Sequence, residues 1–132
     1  MFLANLTGNQ KKAFLSLARK LIEADGLLQK DELSTLEQYK REMNLVADFA
    51  AEEETFEEAI SVFQAEARTV KKQIVFELLA LACSDREYAK EEGNLLEKIR
   101  VSFDLEEKFF IQSKAYIREL ISLYDKIGVL IG

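Results

Sequence analysis

The chain is 132 residues long and carries 24 acids against 18 bases, a net charge of -6, with no histidine, no tryptophan, no proline and one cysteine. Such an acidic chain is a poor match for a phosphate backbone, whose binding rests on clustered lysine and arginine releasing counterions. The missing histidine removes the commonest general base and every nitrogen-rich zinc site, and most hydrolase mechanisms go with it.

A hydrophobic fraction of 48% is too high for a disordered chain, and 5 glycines without proline are too few for a many-turned β protein. The expectation is a single all-α domain spanning residues 1–132, folded as a helical bundle of six or seven helices and long enough to bury a core without a disulfide or metal. Residues 1–12 lack the basic start, apolar core and cleavage site of a secretory signal, and the longest wholly apolar run, Leu78 to Cys83, is far too short for a bilayer. A soluble, cytoplasmic protein is expected.

Phe14, Leu17, Ala18 and Leu21 recur at helical spacing, which predicts a helix over residues 9–24 with Gly26 just past its end. A second helix, over 29–44, places Leu33, Leu36 and Met43 on one side and opens on Asp31 and Glu32, acids suited to the positive end of a helix dipole. After a polar link at 48–54, Phe56, Ala59, Ile60, Phe63 and Ala67 keep the same period. Thr69 is the expected cap of the next helix, whose run from Ile74 to Cys83 is apolar almost all round and reads as the centre of the bundle. Cys83 in that run reads as an inert buried thiol.

Leu95, Leu96, Ile99 and Phe103 form a further stripe, and Asp104 followed by Glu106 and Glu107 reads as the cap and acidic first turn of the last helix. Phe109, Phe110, Tyr116, Ile117, Leu120, Ile121 and Tyr124 carry that helix to about residue 126, where Gly128 is the expected stop. The apolar tail Val129-Leu130-Ile131 is expected to dock on the body, since a run of three prefers cover. Leu21, Leu36, Leu78, Leu81, Leu96 and Leu120 are the expected core leucines.

The stretch from Leu21 to Glu32 has an echo from Leu81 to Glu92, at an offset of 60. In ungapped register Leu21/Leu81, Asp25/Asp85, Lys30/Lys90, Glu32/Glu92, Leu36/Leu96, Glu37/Glu97 and Leu45/Leu105 are identical. Both copies read as helix, acidic turn, helix, so a duplicated helical hairpin with halves at about 9–45 and 69–105 accounts for them better than chance.

With Ala24-Asp25-Gly26 and Glu32 in the first half, and Ser84-Asp85 and Glu92 in the second, the chain resembles the TerB-like family. That family is named for a bacterial tellurite-resistance protein and is related to the N-terminal region of a DnaJ-type co-chaperone. The resemblance covers about residues 9–126, and Arg86 stands where the second copy of the pattern has glycine. It implies an all-helical, non-enzymatic domain with a divalent-cation site on the acidic turns and a place in a stress or tellurite-resistance-type response.

On that reading Asp25, Glu32, Asp85 and Glu92 converge as metal ligands, with Asp31, Glu87 and Glu91 nearby. A hard cation such as Ca²⁺, Mg²⁺ or Mn²⁺ relieves their repulsion. Arg86 beside Asp85 counts against it. The bland account has each Asp stabilising its turn and each Glu satisfying a helix start, worth about 0.3 to 1 kcal/mol apiece. An EF-hand is excluded because Asp25-Gly26 lacks the alternating ligands of that loop. Paired-carboxylate glycoside chemistry is disfavoured without a tryptophan platform, and Arg68, Lys71 and Lys72 read as a solvated face.

The competing class is a protein–protein interaction module in which the acidic turns are only structural. An exposed apolar patch made by Phe2, Leu3 and Val129 to Ile131 would favour it.

Overall fold

The computed structural model describes residues 2–24, 30–44, 54–83 and 90–132, and for Lys30 to Leu33 and Thr35 the backbone alone. These residues form six helices and no strand: α1 (Gly8–Glu23), α2 (Lys30–Glu42), α3 (Phe56–Gln64), α4 (Arg68–Ala82), α5 (Lys90–Ser102) and α6 (Glu107–Ile131). The all-α expectation is met.

Two helices share the centre. α1 packs on α2, α3, α4 and α5, while α4 packs on α1, α3, α5 and α6. Phe14, Leu17, Ala18 and Leu21 on α1 and Ile74, Val75, Leu78 and Leu79 on α4 are all fully buried, as their periodicity requires. Leu36, Leu81 and Leu96 are buried as expected. Leu120 is only half-buried, because α6 leaves the body at that point. Cys83 is also half-buried.

α1 starts one residue before its expected position, for a reason present in the sequence. Thr7 accepts a hydrogen bond from the Gln10 N–H (3.3 Å), and Gln10 Oε1 accepts from the Thr7 N–H (2.9 Å), which closes a capping box. Thr55 and Glu58 build the same device on α3, and the two hydrogen bonds from Thr55 hold the Glu58 carboxyl below its usual range.

Several local expectations are corrected. Thr69 does not cap α4: the helix begins at Arg68 with Ala67 at its N-cap and no side-chain cap, since α3 has already ended at Gln64. Ala67 accordingly lies outside α3. Asp104 does not cap α6 but closes α5, in the left-handed conformation at φ 54°. There the Leu105 N–H donates to the Arg100 carbonyl (3.1 Å) and the Asp104 N–H to the Val101 carbonyl (3.1 Å), the paired bonds of a Schellman turn. Arg100 fastens the turn by donating through Nη1 to the Leu105 carbonyl (2.9 Å) while its guanidinium pairs with Glu97, holding that carboxyl down. Glu106 is the N-cap residue of α6.

Gly128 does not stop α6. The helix passes through it to Ile131, and the Gly132 N–H donates to the Gly128 carbonyl at 3.1 Å. A lone glycine in a helix costs about 1 kcal/mol relative to alanine, too little to end a helix flanked by apolar residues of ordinary propensity. The tail therefore does not dock. Val129, Leu130 and Ile131 are 85%, 84% and 80% exposed.

The 60-residue offset recurs in the helix boundaries. α2 and α5 each have 13 residues, starting at Lys30 and Lys90, while α1 and α4 start at Gly8 and Arg68. Asn44 and Asp104, the described non-glycine residues with positive φ, hold 58° and 54° at the same offset.

Candidate functional site

Of the four expected ligands, Asp25 and Asp85 lie outside the described residues, together with Gly26, Arg86 and Glu87. Glu32 lies in α2, of whose first residues only the backbone is described. Glu92 sits in the first turn of α5 beside Glu91 and is half-buried. Acids there complement the helix dipole whether or not a cation is near. Among the described residues no cluster of three or more cysteine and carboxylate side chains is placed to hold a metal. Whether the two turns converge thus lies outside the described part of the chain.

The one buried carboxylate described belongs to a structural network. Glu77 faces inward on α4, and its Oε1 accepts a hydrogen bond from the Phe2 N–H at 2.8 Å. The Tyr39 hydroxyl on α2 donates to the Glu77 carbonyl at 3.2 Å. Burial, then the nearby charges of Glu77 and Glu42, push the Tyr39 phenol far above its ordinary range, so it stays a neutral donor. This arrangement ties the N-terminal segment, α2 and α4 together. A cleft of about 200 Å³ beside it, lined by Phe2, Asn5, Gln10, Val70 and Gln73, is smaller than the sites that enclose cofactors. Leu3 does not contribute to the apolar patch with Phe2 and Val129 to Ile131 that would favour an interaction module, because Leu3 is fully buried while Phe2 packs edge-on against Phe76.

The C-terminal half of α6 presents the exposed apolar surface instead. Its first half is seated: Phe110, Ser113 and Ile117 are buried, and Lys72 of α4 lies over the Phe109 ring at 5.6 Å. Beyond Leu120 and Ile121, both half-buried, the helix runs on to Ile131 with Leu123 54%, Tyr124 71% and Ile127 40% exposed ahead of the tail. Periodicity places Tyr116 and Tyr124 on the core stripe, yet both are exposed. Nothing in a periodic pattern says where the supporting helix ends. The ten residues from Ser122 to Ile131 extend about 15 Å at 1.5 Å per residue.

No helix among the described residues is long and apolar enough to cross a membrane. Comparison of the chain with protein-family models, with curated proteins and with solved structures finds no match.

Proposed function

We propose that this chain is a non-catalytic interaction domain, a helical bundle that presents the second half of α6 to a protein partner. One observation carries this reading: Leu123, Tyr124, Leu130 and Ile131 are each more than half exposed on one continuous helix. Large apolar side chains clustered at the surface mark binding sites, and tyrosine is typical of their energetic centres. Ending the chain after Ser122 removes the surface and leaves the body. Affinity enrichment from cell extract with the full chain is expected to retain proteins that the shortened chain loses. Equal retention by both contradicts the docking role.

A second reading keeps the TerB-like resemblance and its cation site. It is supported by the matched bounds of α2 and α5 and by the matched left-handed residues Asn44 and Asp104, which favour a duplicated hairpin. Asp25, Glu32, Asp85 and Glu92 would then share a hard cation. Ca²⁺ at a hundredfold excess over Kd is expected to add about 2.7 kcal/mol of stability to the wild type, and to add nothing to Asp25→Asn combined with Asp85→Asn. No shift in melting temperature with millimolar Ca²⁺, Mg²⁺ or Mn²⁺, or an equal shift in the double variant, would sink it.

A further inference from the structure

We propose that the exposed half of α6 pairs antiparallel with the same segment of a second copy of this chain. The proposal rests on the docking-helix reading above and names its partner.

The stripe that seats α6 is a heptad seam. Phe110, Ser113, Ile117, Leu120, Tyr124, Ile127 and Ile131 follow one another in alternating steps of three and four residues, the spacing that keeps one face of a helix against another helix. The first three are buried, Leu120 is half-buried and the last three are exposed. The same face therefore passes from a covered to an uncovered stretch without a break in register. Leu123 and Leu130 flank the uncovered stretch and widen it. A surface of this pattern fits a second helix with a matching seam, which this chain itself carries.

Charge sets lipid and nucleic acid aside. The projecting segment carries one base, Lys126, against one acid, Asp125, a balanced pair on a chain of net charge -6. An interfacial membrane helix is instead rich in lysine and arginine on its polar face, and phosphate binding needs clustered bases.

Sterics set the direction. The body lies on the seam side of α6 over its first half, where Phe110 and Ile117 are buried and α4 packs. Parallel pairing of two exposed segments would bring both bodies into the same space between the helices. Antiparallel pairing puts them at opposite ends and makes an isologous twofold contact.

Area sets the strength. A buried aliphatic side chain removes roughly 100 Å² of apolar surface and a tyrosine about 150 to 250 Å², so the exposed fractions of Leu123, Tyr124, Ile127, Leu130 and Ile131 offer on the order of 400 Å² per copy. A pair buries about twice that, the range of weak, reversible contacts, with Kd on the order of 10⁻⁵ to 10⁻⁴ M.

Sedimentation equilibrium of the full chain from about 5 to 500 µM tests it by mass action. The average mass is expected to rise from 15.1 kDa toward twice that value. Tyr124→Lys with Ile131→Lys, at two exposed seam positions, is expected to hold the single-chain mass throughout with unchanged helical circular dichroism. Val129→Lys, on the opposite side of the same helix, is expected to associate like the wild type. A single-chain mass for the wild type at the top concentration overturns the proposal, as does association of the seam variant equal to wild type. Flotation of the wild type, but not the seam variant, with phosphatidylcholine–phosphatidylserine vesicles overturns it in favour of lipid. If self-association is absent while enrichment still depends on the residues after Ser122, self-pairing falls and the docking reading stands. If both are absent, both fall.

Discussion

Phe14→Ala is expected to lower the free energy of unfolding by about 3 to 5 kcal/mol. Phe14 is fully buried on α1, and its ring meets the Tyr39 ring edge-on with centroids 5.1 Å apart. Tyr39 is fixed in turn by its hydrogen bond to the Glu77 carbonyl, so it cannot follow the shortened side chain into the void without leaving that acceptor. Three helices meet at this ring pair, and a site braced on three sides collapses poorly, which places the cost at the upper part of the range for large-to-small core changes. The edge-on contact adds about 0.5 to 1.5 kcal/mol beyond area alone. Against a total of roughly 7 to 20 kcal/mol for a chain of this length, the variant should still fold with a clearly lower urea midpoint and an unchanged slope. A loss under about 1 kcal/mol would show that α1 is not central.

Leu3→Ala comes next, with an expected loss of about 2 to 5 kcal/mol. A residue so near a chain end is ordinarily dispensable, since terminal segments are poorly ordered unless tied down. Here the tie is double: Leu3 is fully buried, and the preceding Phe2 N–H donates to the inward-facing Glu77 carboxylate. If Leu3→Ala costs no more than a surface change, within about 0.5 kcal/mol in a urea titration, the N-terminal segment does not belong to the core.

These two sites differ in how they could be foreseen. Phe14 lies on a stripe with Leu17, Ala18 and Leu21, and helical period alone marks it as core. Leu3 belongs to no stripe. Its neighbour Phe2 is tied to a partner 75 residues away, and the sequence signal for that tie is a carboxylate, Glu77, inside an otherwise apolar run. The helix bodies were legible because burying an apolar face dictates their period. The boundaries at Ala67 and Asp104 were not, because they follow from a short link and a Schellman turn, while cap propensities pointed to Thr69 and to Asp104 as a helix start; nor was the passage of α6 through Gly128, which propensity marked as a stop.

The candidate sites follow the same division. The repeated carboxylates at Asp25, Glu32, Asp85 and Glu92 stand out as residues, but whether they converge depends on two turns outside the described part of the chain. The α6 surface was foreseen with the wrong outcome: three consecutive apolar residues prefer cover, yet a helix that does not stop at Gly128 carries them away from the body. The steps of three and four through Leu120, Tyr124, Ile127 and Ile131 were available in the sequence as the sign of a face awaiting a helix.

The central claim is that the residues after Ser122 serve something other than this fold. Thermal unfolding of the chain ended at Ser122 tests it most directly, at a concentration low enough that no partner helix is bound. Because Leu123, Tyr124, Leu130 and Ile131 are more than half exposed, the account predicts a melting temperature within about 3 °C of the full chain, a difference of no more than roughly 1 kcal/mol. A fall of about 10 °C or more, the signature of lost core packing, would show that the segment folds back onto the body and would contradict the account.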